Sequence, residues 1–167
     1  MTQPKSSRPY MPGYGILDAD SGKGLLPWIW ATERLAKART YWVATTRPDG
    51  NPHAMPVWGV WLDDAFYFST GTQSRKARNL VENPRCAIGC ELADDQVILE
   101  GSAELLTDPV LRDRFARAYS QKYEWDTEGF NEPFYAVHPI AVFGFSTAPG
   151  EFIGSATRWV FDQEHRL

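Results

Sequence analysis

Three hydroxyls, a glutamine and two cations stand within the seven residues Thr70-Gly71-Thr72-Gln73-Ser74-Arg75-Lys76. The residues before them, Phe66-Tyr67-Phe68-Ser69, read as a strand, and Ser74 opens a helix that continues through Asn79 and Leu80. A helix start already carries partial positive charge, so Arg75 and Lys76 are unfavourable there unless something negative is held. Free backbone N–H groups, hydroxyls and two cations together suit an anion, and a phosphate best. The bland use of the same residues is a surface turn with solvated charges. The preceding strand and the hydroxyls favour the anion, which makes the chain a candidate nucleotide- or flavin-binding protein.

Other reactive residue types are sparse. His53, His138 and His165 are scattered without a zinc-type spacing, and no metal site is expected. His53 alternates onto the face of Met55 and Val57 and reads as a partly buried structural histidine; His138 reads as structural and His165 as solvent-exposed. Cys86 and Cys90 fall in one predicted strand, about 13 Å apart at ~3.3 Å per residue, too far for a mutual disulfide. They read as buried thiols. Asp94-Asp95 reads as a hairpin tip, and Gly22-Lys23-Gly24 lacks the length and ending of a P-loop.

The elements that must position these residues follow a β pattern. The chain has 167 residues and a net charge of −4, which fits one domain (25–167) behind a Gly-, Pro- and Ser-rich arm (1–24) expected to be mobile or draped. The acidic balance argues against nucleic acid, which needs a basic face. No apolar run is long enough to span a bilayer and the N-terminus has no signal-peptide core, so a cytoplasmic chain is expected. Pro27 starts a helix to about Arg39. Strands are predicted over Tyr41–Thr46, His53–Leu62, Ala65–Thr70, Arg85–Glu91, Gln96–Leu106, Tyr135–Phe145 (interrupted at Pro139) and Ala156–Phe161. The first two are joined by the turn Pro48-Asp49-Gly50-Asn51. The helix from Ser74 ends near Glu82 at Asn83-Pro84. A second runs from Asp108-Pro109 to about Tyr123, with Val110, Leu111, Phe115, Ala118 and Tyr119 as its apolar face. Gly101 reads as a bulge. The expected fold is therefore mainly β with inserted helices, a six- to seven-stranded antiparallel barrel that closes to remove sheet edges.

In this order and spacing the chain resembles the pyridoxamine 5′-phosphate oxidase-like split β-barrel flavoproteins. The resemblance runs from about Tyr41 to Phe161. It rests on Asp49-Gly50-x-Pro52-His53, Pro56-Val57-Trp58, Phe66-Tyr67-Phe68-x-Thr70, Ser74-Arg75-Lys76 with Asn79-Leu80, Asn83-Pro84, Gln96-Val97, Gly101-x-Ala103-Glu104 and Thr157-Arg158-Trp159-x-Phe161. It implies a homodimer with its cofactor in the groove between subunits. Thr70, Ser74, Arg75 and Lys76 match the phosphate-holding positions. Met55, Pro56, Val57 and Trp58 match the strand along the ring, and Pro56 could leave edge backbone open. Gln96 matches a glutamine reaching the partner's cofactor, and Arg158 an arginine contacting the flavin.

The resemblance also marks a departure. Where the oxidase has Arg-x-His-x-Arg, this chain has Gly154-Ser155-Ala156-Thr157-Arg158, so the side chains that bind pyridoxine phosphate are missing and that oxidase activity is not expected. Trp58-Gly59-Val60-Trp61 and Thr157-Arg158-Trp159 are closer to the flavin/deazaflavin oxidoreductase subgroup. This implies coenzyme F420 in preference to FMN, with hydride transfer to a small unsaturated or quinone-like substrate. The alternatives are an FMN-dependent oxidase or reductase and a non-catalytic flavin or deazaflavin carrier. No acid or base is assigned. Lys5, Arg8 and Lys23 are candidates for the longer anionic tail of a deazaflavin.

Overall fold

The structure is a computed structural model and describes residues 3–129 and 131–162; His165 lies outside them. Among the described residues the order is β1 (Lys5–Ser7), α1 (Trp28–Lys37), β2 (Tyr41–Thr46), β3 (Pro52–Val57), β4 (Gly59–Leu62), β5 (Ala65–Ser69), α2 (Arg75–Glu82), β6 (Arg85–Leu92), β7 (Asp95–Leu105), α3 (Pro109–Tyr123), β8 (Phe134–Ser146), α4 (Phe152–Ser155) and β9 (Thr157–Val160). All strand pairs are antiparallel. No described helix is long and apolar enough to cross a membrane.

The main-chain path through the sheet is β1-β9-β8-β7-β6-β2-β3, with β5 joined to β8 and β4 to β5. The fold is the expected split-barrel type, but among the described residues it has nine strands and the sheet does not close. The long strand β8 explains both. One of its edges pairs with β7 along its length. The other is shared, residues 134–137 with β5 and 141–144 with β9. A sheet that forks in this way keeps open ends at β1, β3 and β4. Pro139 does not interrupt β8: the register shifts by one residue opposite Gly101, where any Cβ would lie 2.4 Å from the His138 carbonyl oxygen. The close approach needs glycine, and the bulge absorbs the proline.

Period-2 alternation separates two faces of the sheet. Along one rung Val43, Ile88, Leu99, Val142 and Trp159 are buried side by side. The next rung, Pro56-Trp42-Gly89-Ile98-Phe143-Arg158, lies on the opposite, outer face, where Trp42 is 56% and Ile98 38% exposed. Helices α1 and α2 cover the inner core through Ala31, Leu35, Ala77 and Leu80. A second core under α3 joins Phe115 to Val60, Tyr67 and Phe134. Tyr67 thus faces α3 while its neighbours Phe66 and Phe68 face the main core, so β5 is buried on both sides. Val110, expected on the apolar face of α3, is 65% exposed.

The N-terminal arm is built into the sheet. Its β1 pairs with β9. The Arg8 guanidinium donates to the carbonyls of Gly154, Ala156, Asp18 and Ser21. Lys23 pairs with Glu151, and Lys5 with Asp162 at 3.7 Å. Each of the three arm cations thus has a partner within the chain, Lys5 and Lys23 through ion pairs on the surface.

Candidate functional site

Helix α2 begins as the sequence predicts. Ser74 is its N-cap, and its hydroxyl accepts from Ala77 N–H at 3.2 Å, which ties down one of the free donors of the first turn. Thr70 Oγ1 lies 3.0 Å from Ser74 Oγ, so the two hydroxyls form one pair at the helix start. No acidic residue occupies the first turn. Among the described residues Arg75 and Lys76 have no ion pair or side-chain hydrogen bond. Lys76 is half-buried, and burial pushes its ammonium below the ordinary value. A lysine desolvated without a counter-ion is stabilised when an anion arrives.

The sheet adds groups that sequence reasoning did not select. His53 lies opposite Thr45 on the inner side of the β2–β3 pair. Burial, then the charges of Arg47, Lys76 and Arg75, lower its pKa. Its Nδ1 is buried with no partner among the described residues. Arg47 is held at the β2–β3 turn by its backbone N–H to Asn51 O and by Gly50 N–H to its own carbonyl, and its charge acts on both Asp49 and His53. Some other arginines are ion-paired, as in Arg34–Asp95 and Arg114–Asp63, both at 2.7 Å. The charges of Arg47, Lys76 and Arg75 converge on His53, where α2 packs on β3. Only the structure brings the charge of Arg47 to bear on His53, since the sequence reads it simply as the residue before a turn.

The ring-side residues are split by a break that the sequence hid. The predicted strand His53–Leu62 is two strands, with Trp58 between them. Both polar groups of the Gly59 peptide unit are taken by α3. Gly59 N–H donates to Tyr123 Oη at 2.9 Å, and its carbonyl accepts from Lys122 Nζ at 3.0 Å and Tyr123 O–H at 2.8 Å. Only glycine fits, since a Cβ would lie 2.3 Å from the Phe66 ring. Lys122 also donates to Tyr41 O–H at 2.7 Å, and burial brings its pKa down to about 8. Met55 and Pro56 remain exposed on β3, whose other edge is unpaired, while Val57 is buried.

The ten expected site residues fall into two groups within one chain. Thr70, Ser74, Arg75 and Lys76 lie together at the start of α2, and α2 packs on β2 and on β3, the strand of Met55, Pro56 and Val57 that ends at Trp58. Gln96 and Arg158 are elsewhere. Pro56 and Arg158 share one rung but are five strand steps apart, about 24 Å along the sheet at ~4.8 Å per step. Arg158 is half-buried on the outer face, and its neighbour Trp159 is buried on the inner one. The positions where the oxidase signature has its arginine and histidine, Gly154 and Ala156, hold the arm through Arg8.

Comparisons with known proteins agree with this geometry. A family model described as pyridoxamine 5′-phosphate oxidase matches residues 31–143. A conserved hypothetical protein of Mycobacterium tuberculosis superposes with a TM-score of 0.67 at 22% identity, over 74% of this chain and 86% of its own. A protein named F420 reductase gives 0.54 at 23% identity, over 66% and 93%. An FAD-binding protein of Mesorhizobium loti gives 0.59 at 19% identity, over 82% and 96%. At such identities the likeness establishes the fold. A search of the curated proteins finds no significant match.

Proposed function

We propose that this chain, which belongs to the pyridoxamine 5′-phosphate oxidase family, is a homodimeric oxidoreductase holding coenzyme F420, with FMN as the alternative cofactor. The observation that carries the reading is the partnerless cation pair Arg75–Lys76 beside the Thr70–Ser74 hydroxyls. It adjoins the unpaired edge of β3. The first suits a phosphate and the second leaves backbone groups free along a ring edge. Relatives of this fold include proteins named for F420 reduction and FAD binding.

The homodimer follows from the two separated residue groups. A second copy laid against the outer face would bring its Gln96 and Arg158 to the β3 edge of the first. It would also cover Trp42 and Ile98, which are large apolar side chains left exposed on a flat sheet. The preference for the deazaflavin rests on Arg47. That cofactor carries anionic groups beyond its phosphate, and Arg47 adds a third cation whose charge, with those of Lys76 and Arg75, reaches His53. When bound, the cofactor supplies the hydride. The chain binds the phosphate, orients the ring and shields it with aromatic side chains. The substrate is a small unsaturated or quinone-like acceptor.

Calorimetric titration of the chain with F420 and with FMN tests this. Both should bind, F420 more tightly, and Lys76→Ala should weaken each by ten- to a hundredfold, the size of a charge-assisted contact. Thermal melting of that variant should be unchanged. Equal affinity in Lys76→Ala contradicts the site. Tight binding without reduction of any acceptor favours the non-catalytic carrier.

A further inference from the structure

A carboxylate reaches the start of α2 from another part of the chain. The register of β5 and β8 ends with Ser69 opposite Phe134. Carried past the strand ends, the same antiparallel count sets Thr70 opposite Pro133 and Gly71 opposite Glu132. Two hydrogen bonds follow that count. Ser69 Oγ donates to the Pro133 carbonyl at 2.9 Å, and Thr72 N–H donates to Glu132 Oε2 at 3.3 Å. A Cβ added to Gly71 would lie 3.6 Å from the same oxygen, so the carboxylate sits directly over this turn. Glu132 is placed there by the register of the β5–β8 pair, although it lies in the polar loop before β8.

The turn leads straight into the candidate phosphate site. Thr72 stands two residues before the cap Ser74, at most ~7 Å along the chain. Ser74 N–H turns back to the Gly71 carbonyl at 2.9 Å, which shortens that span. A charge so near lies within the Debye length of ~8 Å at physiological salt. Among the described residues the Glu132 carboxylate takes a backbone N–H and no cation. An anion drawn in by Arg75 and Lys76 therefore meets a negative charge at the edge of the same site. A phosphate monoester carries close to two charges above pH ~6 and has three terminal oxygens. A diester carries one charge and has two. FMN ends in a monoester, and F420 joins its tail through a diester.

We propose that Glu132 is a specificity-determining residue, which shifts the selectivity of this site away from a doubly charged phosphate monoester and toward a singly charged phosphodiester. The inference rests on the cofactor reading above. Repulsion from Glu132 acts twice on a monoester and once on a diester. At this separation and near the surface, the second charge lowers affinity by about three- to tenfold. Glu132 also occupies the Thr72 N–H, a donor suited to the third oxygen that a diester lacks.

Calorimetry with FMN and with riboflavin 5′-(methyl phosphate), which share ring and ribityl chain and differ in that second charge, tests this on wild type and on Glu132→Gln. The glutamine keeps an oxygen for Thr72 N–H and removes the charge. At pH ~8 the ratio of the two affinities should move about three- to tenfold toward FMN in Glu132→Gln. At pH ~5, where FMN is mostly singly charged, the two proteins should agree within about twofold. Arg47, His53, Arg75 and Lys76 are common to both, so their charges cancel in the comparison. Glu128→Gln removes a charge from the same loop; Glu128 has no described bond to the 70–76 turn, and this variant should keep the wild-type ratio. An unchanged ratio in Glu132→Gln at pH ~8, an equal shift in Glu128→Gln, or a shift as large at pH ~5 overturns the role of Glu132 and leaves the phosphate site standing. Failure of wild type and both variants to bind either compound removes the phosphate site, and the selection with it.

Discussion

Asn79 Nδ2 donates to Thr45 Oγ1 at 2.9 Å, a fully buried side-chain bond that ties the middle of α2 to β2. Thr45 also faces His53 across the β2–β3 pair. One contact therefore fixes the spacing between the helix start, with Lys76, and the strand that leads to Met55–Trp58. Asn79 Oδ1 is buried with no described partner. Replacing Asn79 by leucine should cost about 1–3 kcal/mol, because Thr45 keeps its buried hydroxyl and loses its donor. Urea unfolding measures this. FMN affinity should fall in the same variant, as the helix start is no longer held to β3.

Tyr123 holds the break between β3 and β4. Tyr123→Phe removes the hydroxyl that satisfies Gly59 N–H inside the protein, at a cost of about 1–3 kcal/mol for the unpaired donor. Gly59→Ala should be worse, because its Cβ would meet both the Phe66 ring and the Tyr67 carbonyl at under 3 Å. Melting temperatures should order as wild type, then Tyr123→Phe, then Gly59→Ala. The reverse order would mean that Trp58 is placed by something other than this peptide unit.

Part of this site is legible along the chain and part is not. The Ser74 cap, the bounds of β2 and the stop at Asn83 depend on neighbours a few residues away, and the structure places them where the pattern does. The break at Trp58 depends on Lys122 and Tyr123, more than sixty residues distant, so the apolar run through it looks like one strand. The arm looks mobile by composition because glycine and proline dominate. Four carbonyls arranged around one Arg8 guanidinium leave no local signature. The same holds for Arg47, whose turn composition is plain but whose effect on His53 appears only once β2 and β3 are paired. The fork of β8 likewise hides in the sequence, where Pro139 suggests an end and the bulge keeps the strand going.

His53 should give anion binding a dependence on pH. Its folded value is lowered by burial and by Arg47, Lys76 and Arg75. An anion bound among those cations offsets their repulsion and raises it. Binding therefore takes up a proton, and affinity rises as pH falls from the raised anion-bound value toward the lowered value of the free protein. The phosphate monoester of FMN itself titrates near pH ~6, so the reading is the difference between wild type and His53→Gln. Titrations from pH ~5.5 to ~8 should show wild type gaining on the variant toward acid. Parallel curves would place the anion away from His53.

The division of the site between two copies of the chain is tested most directly by a mixed dimer. Lys76→Ala and Arg158→Ala chains are each expected to bind F420 or FMN poorly on their own. Co-expressed with different tags and purified as the mixed pair, they should regain one site of wild-type affinity per dimer. In that pair one groove combines Lys76 of the Arg158→Ala chain with Arg158 of the Lys76→Ala chain, and the other groove lacks both. Half-stoichiometric, full-affinity binding is the predicted result. A mixed pair as weak as either parent, or a monomer at every concentration, contradicts the shared site.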